Sequence, residues 1–305
     1  MTLYILRRMG QALVAMFVVA VVVFLLIRLA PGDPARLMLP ETASTQEVEA
    51  LRVRLGLDRP LPIQFWRFMQ DLLSLDLGTS FFYNRPVAEI IWLHFPRTAL
   101  LGGVSLIFSL AIGIPLGIIA ALKEGRLADF VAMGFAVVGQ AVPIFWLGFM
   151  LVLVFSIKLH WLPTSGTGSW QHLVLPAATL SAFTMALISR LVRSGMLDIL
   201  GEDYIRTARA KGLPEALVIA RHAFRNIMIP VVTVIGMSVG ILLAGSVVTE
   251  AVFAWPGVGL MIMTAASARD YPMIQAFTLF VAFLVICVNL VVDLLYVYLD
   301  PRIRL

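Results

Sequence analysis

The sequence predicts an all-α integral membrane protein with six transmembrane helices. Three observations predict it. Of the 305 residues, 60% are hydrophobic and 13% are charged, whereas soluble proteins carry about 25% charged residues. Six stretches, at 9–30, 98–122, 130–157, 173–192, 227–249 and 273–299, are apolar for long enough to cross a ~30 Å hydrocarbon core at a rise of ~1.5 Å per residue. The basic residues fall mainly between these stretches.

Backbone amides in lipid must be bonded within their own segment, so apolar runs of this length are helices and not strands. A water-soluble globule could not cover its surface with so little charge. The single cysteine, Cys287, excludes an intramolecular disulfide. The net charge of +5 reads as membrane orientation, not nucleic-acid binding. The lipid bilayer is therefore an expected partner, and nucleic acid is not.

The first stretch follows Arg7 and Arg8 but exceeds the ~7–15 apolar residues of a signal peptide, so it reads as a retained helix. With the N-terminus inside, the cytoplasmic segments hold Arg7, Arg8, Lys123, Arg126, Arg193, Arg206, Arg209, Lys211, Arg221, Arg225, Arg302 and Arg304. The two short outer loops hold only Lys158 and Arg269. The longer segment 31–97 carries seven arginines, but long loops translocate largely regardless of charge. Both termini are thus expected in the cytoplasm. Arg28, near the outer end of the first stretch, reads as an interfacial anchor.

The segment 31–97 is too long for a plain connector. Ser44 and Glu47 have capping-box spacing, which predicts a helix running to Leu55 and stopping at Gly56. After Pro60 and Pro62, the residues Ile63, Phe65, Trp66, Phe68, Met69, Leu72 and Leu73 form an apolar stripe at helical spacing, expected to pack on protein or membrane. A third short helix is expected between Pro86 and Pro96. On the other side, 193–226 reads as two short helices, about 202–211 and 215–224. Gly212 suits the end of the first and Pro214 the start of the second. Such a folded loop is a candidate docking surface.

Signatures of catalysis are weak. No stretch fits the phosphate-binding pattern G-x-x-x-x-G-K-[ST] or the zinc pattern H-E-x-x-H. His94, His160, His172 and His222 lie in loops or at span ends, so no metal site is expected. Residues 236–240 spell G-x-S-x-G around Ser238, but inside a transmembrane stretch with no histidine to act as base. The same residues spell G-x-x-x-G, a helix-packing motif, as do Gly113 and Gly117. The polar residues within spans are Gln140, Ser181, Thr184, Ser238, Ser246, Gln275, Asn289 and Asp293. Such groups face a bundle interior or a water path. Gln140, Ser238, Ser246 and Asp293 are the candidates for a translocation path. Pro115, Pro143 and Pro176 interrupt spans and are expected to kink them.

At 203–230 a family resemblance emerges. Asp203-Tyr204-Ile205-Arg206-Thr207-Ala208-Arg209-Ala210-Lys211-Gly212, followed by Asn226-Ile227-Met228-Ile229-Pro230, resembles the E-A-A-x-x-x-G…I-x-L-P loop of ABC-importer permeases. The variant is similar to the dipeptide/oligopeptide/nickel branch, with Arg206 and Thr207 in place of Glu and Ala and Ile229 in place of Leu. Further stretches resemble the same branch: Leu29-Ala30-Pro31-Gly32-Asp33-Pro34, Asp76-Leu77-Gly78-Thr79-Ser80, Trp161-Leu162-Pro163, Val252-Phe253-Ala254-Trp255-Pro256-Gly257-Val258-Gly259, Arg269-Asp270-Tyr271-Pro272 and Asp300-Pro301-Arg302-Ile303-Arg304. Ser169-Trp170-Gln171-His172 with Glu202-Asp203-Tyr204 is similar to the glutathione-importer members.

The resemblance implies a type I ABC importer permease fold. The first helix (1–30) packs outside a five-helix core (98–299), 31–97 forms a periplasmic helical subdomain, 193–226 is the cytoplasmic coupling loop, and 300–305 is a cytoplasmic tail. It implies a multi-pass protein of the bacterial inner membrane that moves short peptides, such as glutathione, dipeptides or oligopeptides, by alternating access. Nickel-complex import is the alternative within the same family; an autonomous secondary transporter or an intramembrane serine protease fits less well. The implied partners are a second homologous permease, two ATP-binding subunits and a periplasmic solute-binding protein. No cofactor is implied in this chain, because ATP and Mg belong to the ATPase partners. By the same resemblance, Arg206, Thr207, Ala208, Arg209, Ala210, Lys211 and Gly212 couple to the ATPase. Glu250, Phe253, Trp255, Arg269 and Asp270 are expected to contact the binding protein.

Overall fold

A computed structural model describes residues 2–29, 34–37, 39, 42–54 and 56–299. Leu55, residues 30–33 of the motif that starts at Leu29, and the tail at 300–305 lie outside the described residues. In chain order the elements are α1 (Thr2–Leu29), α2 (Pro34–Leu37), α3 (Thr45–Arg54), α4 (Leu61–Leu73), β1 (Thr79–Ser80), β2 (Arg85–Pro86), α5 (Val87–Leu122), α6 (Leu127–Ala141), α7 (Ile144–Leu151), α8 (Gln171–Leu200), α9 (Asp203–Ala210), α10 (Glu215–Leu217), α11 (Met228–Val252), α12 (Val258–Ser267) and α13 (Tyr271–Leu299). The short ladder pairs Thr79 with Pro86 and Ser80 with Arg85 in antiparallel register. Among the described residues, five helices are long and apolar enough to cross a membrane, or six if the bent pair 127–158 is one span.

The predicted third span is the main departure. α6 and the helix that starts as α7 meet at a bend of 112°. Val142 is extended (φ −79°, ψ 128°), as the residue before Pro143 prefers. The second half then widens into a π-helix at Val152–Lys158.

The short helix expected between Pro86 and Pro96 is instead the start of α5, which runs unbroken through Pro96 and Pro115. Its 36 residues span about 54 Å at the usual rise, well beyond the hydrocarbon core. Residues 193–200, expected in a loop, complete α8, which also contains Pro176 without a break.

Two compact units result. One holds Thr98–Trp255 with 288–299; the other holds Thr2–Arg97 and Pro256–Cys287. The first half of α13 therefore groups with the N-terminal residues, not with a 98–299 core. Burial explains why: Leu279 joins Ala20 and Val23 of α1, with Phe68, Met69 and Leu72 of α4 packed against them. Phe68, Met69 and Leu72 of the α4 stripe thus pack on protein, whereas Ile63, Trp66 and Leu73 are exposed. Phe65 meets Phe24 edge-on at 5.1 Å.

Local chemistry sets the ends in this unit. The capping box forms: the Ser44 amide donates to Glu47 at 2.7 Å, and the Glu47 amide donates back to the Ser44 hydroxyl at 3.3 Å. The Ser44 donors hold the Glu47 carboxyl below its ordinary pKa. Gly56 ends α3 with φ +67°. Arg28 does more than reach an interface. Its Nε donates to Gln64 Oε1 at 2.8 Å, and its guanidinium lies 3.7 Å from the Phe24 ring centroid.

In the other unit, α5 and α8 touch through glycines. A Cβ on Gly113 would lie 2.9 Å from the Met185 carbonyl oxygen, and one on Gly117 would lie 2.5 Å from that of Ser189. Ser189 Oγ donates to the Gly113 carbonyl at 3.0 Å. Gly236 is equally tight, with a Cβ there 2.5 Å from Val292 of α13. The glycine spacings therefore serve helix packing.

Candidate functional site

The loop at 201–227 is built to display one helix face. Glu202 is extended (φ −72°, ψ 148°), Asp203 sits in the first turn of α9 and Arg209 in the last, as the helix dipole favours. Ile205 and Ala208, three apart, are buried against Val192, Met196, Val218, Ala223, Ile227 and Val231. Arg206, Thr207, Arg209, Ala210, Lys211 and Gly212 are exposed. Ala208 is thus an anchor, the one member of the expected coupling set that does not reach the surface.

A Schellman turn ends α9. The Gly212 amide donates to the Arg209 carbonyl at 2.9 Å and the Leu213 amide to the Ala208 carbonyl at 3.4 Å, with Gly212 at φ +76°. Among the described residues other than its chain neighbours, nothing lies within 4 Å of a Cβ built on Gly212, so its requirement is the positive φ and not a close contact.

Pro214 then restarts the helix. The expected second helix differs from the structure in one respect: α10 continues through a π-helical segment (Val218–Ala223) and a 3-10 segment (Phe224–Ile227) directly into α11. Two side-chain ties fasten α9 to this continuous rod. Arg209 donates to both Glu215 oxygens at 3.1 and 2.6 Å, a pairing that raises the Arg209 pKa. Asn226 Nδ2 donates to Tyr204 Oη at 2.8 Å. Neither tie was foreseen. A second unforeseen clamp joins α6 to α8, where Arg193 donates to both Asp129 oxygens at 2.7 and 2.8 Å. Asp129 also accepts the Gly125 amide at 3.1 Å, which fixes the preceding turn.

A cavity of about 170 Å³ lies at the α6–α7 bend, between Gly139, Val142, Thr179, Ala182, Ile241 and Gly245. None of Gln140, Ser238, Ser246 and Asp293 lines it. Ser238 and Ser246 donate within their own helix, to the Val234 carbonyl at 2.6 Å and the Leu243 carbonyl at 2.9 Å. Gln140 and Asp293 are half-buried.

The expected contact surface for a binding protein requires correction. Glu250, Phe253, Trp255 and Asp270 are 0%, 1%, 5% and 1% exposed, so their side chains cannot meet a partner. Only Arg269 of that set is exposed. Glu250 accepts from Thr98 Oγ1 at 2.7 Å. Trp255 fills a cluster with Leu101, Ala177, Leu180 and Leu242.

Asp270 joins two of the recognised motifs. It accepts from the Ser80 hydroxyl and, at 3.1 Å, from the Phe82 amide, while its other oxygen meets the Met273 amide at 3.4 Å at the start of α13. Asp270→Ala would strand these donors inside the unit, at roughly 1–3 kcal/mol for each one left unsatisfied. We expect unfolding by SDS titration to shift to lower SDS for this variant and less for Asp270→Asn. Equal midpoints for wild type and both variants would contradict the role.

Residues 113–305 match the family described as "Binding-protein-dependent transport system inner membrane component", and residues 1–102 match its N-terminal counterpart, "Binding-prot-dependent transport system membrane comp, N-term". The chain belongs to this family of ABC-importer permeases. The permease is 46% identical over 301 residues to the glutathione transport system permease protein GsiC of Salmonella paratyphi A, covering 99% of this chain and 98% of that one. It is 44% identical to GsiC of Escherichia coli strain K12 over the same length and coverage. In fold, the permease resembles chains from two crystal forms of the MetNI methionine ABC transporter in inward-facing conformations. TM-scores are 0.58 and 0.57 at 17% and 16% identity, covering 69% and 70% of this chain and 96% and 97% of those chains. The permease is thus a multi-pass transport subunit of the type I fold, and not itself an enzyme.

Proposed function

We propose that the permease is one transmembrane half of an ATP-driven importer that moves short peptides of the glutathione kind across a bacterial inner membrane. Both termini and the loop around α9 face the cytoplasm. Two ATPase subunits, which hold ATP and Mg, hydrolyse the nucleotide, a second homologous permease completes the bundle, and a periplasmic binding protein delivers the solute.

The observation that carries the substrate class is the identity to GsiC along the whole chain. The exposed face of α9 supports the coupling role. Arg206, Thr207, Arg209, Ala210, Lys211 and Gly212 form the contact with the ATPase, and Ala208 holds that face in place. When the ATPases close, a displaced α9 drags the rod that runs from Glu215 to Val252 through the Arg209–Glu215 and Tyr204–Asn226 ties. The bundle then changes its opening. Such a switch requires contacts that differ between the two states.

The test is uptake of labelled glutathione in cells that lack their own peptide importers and express this chain with its neighbouring subunits. ATP-dependent uptake, competed by unlabelled glutathione, is expected. Uptake of nickel complexes but not of glutathione or dipeptides would overturn the substrate assignment. Uptake that persists without the ATPase subunits would overturn the mechanism.

A further inference from the structure

A cavity of about 320 Å³ opens within the unit that holds α1, α4 and the first half of α13. It lies where α1 ends and α13 begins, hence at one membrane–water interface. Its wall combines Arg28, Arg54 and Arg67 with apolar Phe68, Leu72 and Leu279. Arg28 is already engaged by Gln64 and the Phe24 carbonyl. Among the described residues, Arg54 and Arg67 make no hydrogen bond or ion pair. Gln275, also in the wall, buries an Nε2 with no partner. Asp71 and Asp76 share the wall, and Asp76 accepts the Gly78 amide at 2.9 Å.

The unspent donors of this cavity are two guanidinium forks and one buried amide; the Asp71 carboxylate is an unspent acceptor, and three arginines against two aspartates leave the wall net positive. An occupant must supply several acceptor oxygens and tolerate an apolar wall. Planar guanidinium forks match phosphate oxygens in pairs. The neighbouring helix end exposes Leu25 and Leu26, the surface a lipid tail would cover. We propose that this cavity binds a phosphate group, carried by an anionic phospholipid headgroup or by free phosphate, through Arg54, Arg67 and Gln275. None of the path candidates and none of the α9 residues lines this cavity.

Native mass spectrometry of the detergent-purified full-length chain tests this. Three probes are titrated: phosphatidylglycerol, diacylglycerol (tails without phosphate) and inorganic phosphate (phosphate without tails). Arg54 and Arg67 are exposed, so the Arg54→Ala/Arg67→Ala pair is expected to elute like wild type. Each arginine near an anionic headgroup contributes ~1 kcal/mol, so phosphatidylglycerol should bind the pair variant about thirtyfold more weakly. Gln275→Leu should weaken it further, and diacylglycerol should bind all forms alike. Arginine-dependent binding of phosphatidylglycerol but not of inorganic phosphate identifies the occupant as lipid. Arginine-dependent binding of inorganic phosphate alone identifies a free anion. Equal retention of both phosphate probes by wild type and the pair variant, or binding of neither, overturns the proposal.

Discussion

Gly117→Val is expected to abolish recovery of folded permease. A Cβ at Gly117 would lie 2.5 Å from the Ser189 carbonyl oxygen and 2.7 Å from the Val192 Cβ. Ordinary contact between such atoms is ~3.5 Å or more, so α5 and α8 would have to separate by about 1 Å. Neither obstacle can swing aside, since one is backbone and the other a β-branched side chain on a buried helix face. Separation would also break the Ser189 Oγ bond to the Gly113 carbonyl and loosen Ile188 and Val192, both fully buried. Overpacking of this kind costs ~1–3 kcal/mol or more, and in lipid close backbone approach is the main attraction between helices. Gly103→Ala is the control on the same helix, where nothing lies within 4 Å of the new Cβ. Gel filtration in mild detergent should return a monodisperse peak for Gly103→Ala and little or none for Gly117→Val. Equal recovery would contradict the packing described.

Ile205→Asp is expected to uncouple transport without removing the membrane bundle. Ile205 is 0% exposed and sits among Met196, Val218, Ala223 and Ile227. An unpaired carboxylate there costs several kcal/mol unless α9 leaves its seat. The seat is local, so the response is local: α9 detaches while α5, α8 and α11 keep their contacts. Ile205→Val removes one methylene and should cost only ~0.5–1.5 kcal/mol. Substrate-stimulated ATPase of the reconstituted complex should fall to its basal rate in the first variant and remain in the second. Full stimulation in Ile205→Asp would contradict a rigid α9 seat.

How far the sequence reveals this molecule depends on distance along the chain. The capping box at Ser44 and Glu47 and the turn at Gly212 are visible because three or four neighbouring residues decide them. The apolar stretches are visible because lipid demands continuous helix. Proline shows the limit. Pro96, Pro115 and Pro176 lie inside unbroken helices, whereas Pro143 marks a 112° bend. A proline removes one amide and crowds one carbonyl, and the surrounding helices decide whether that breaks the rod.

The acids show the same limit. Glu250 and Asp270 read as surface charges near loop ends, yet both are buried, because Thr98 and Ser80 reach them from 152 and 190 residues away. The Asp129–Arg193 clamp was hidden for the same reason, with its partners 64 residues apart. The exposed face of α9 was legible, but the ties that fasten it to Glu215 and Asn226, in the rod leading into α11, were not.

The most direct measurement is co-purification of tagged permease with its native neighbours, for wild type and for Arg206→Glu/Lys211→Glu. Both positions are exposed, and the substitutions disturb only the surface Arg206–Asp203 pair. Wild type should bring down a second permease and ATPase subunits. The variant should keep the permease partner and lose the ATPases. A wild-type chain that purifies alone and transports without ATP, or a variant that retains its ATPases in full, would contradict the assignment of α9 as the coupling surface.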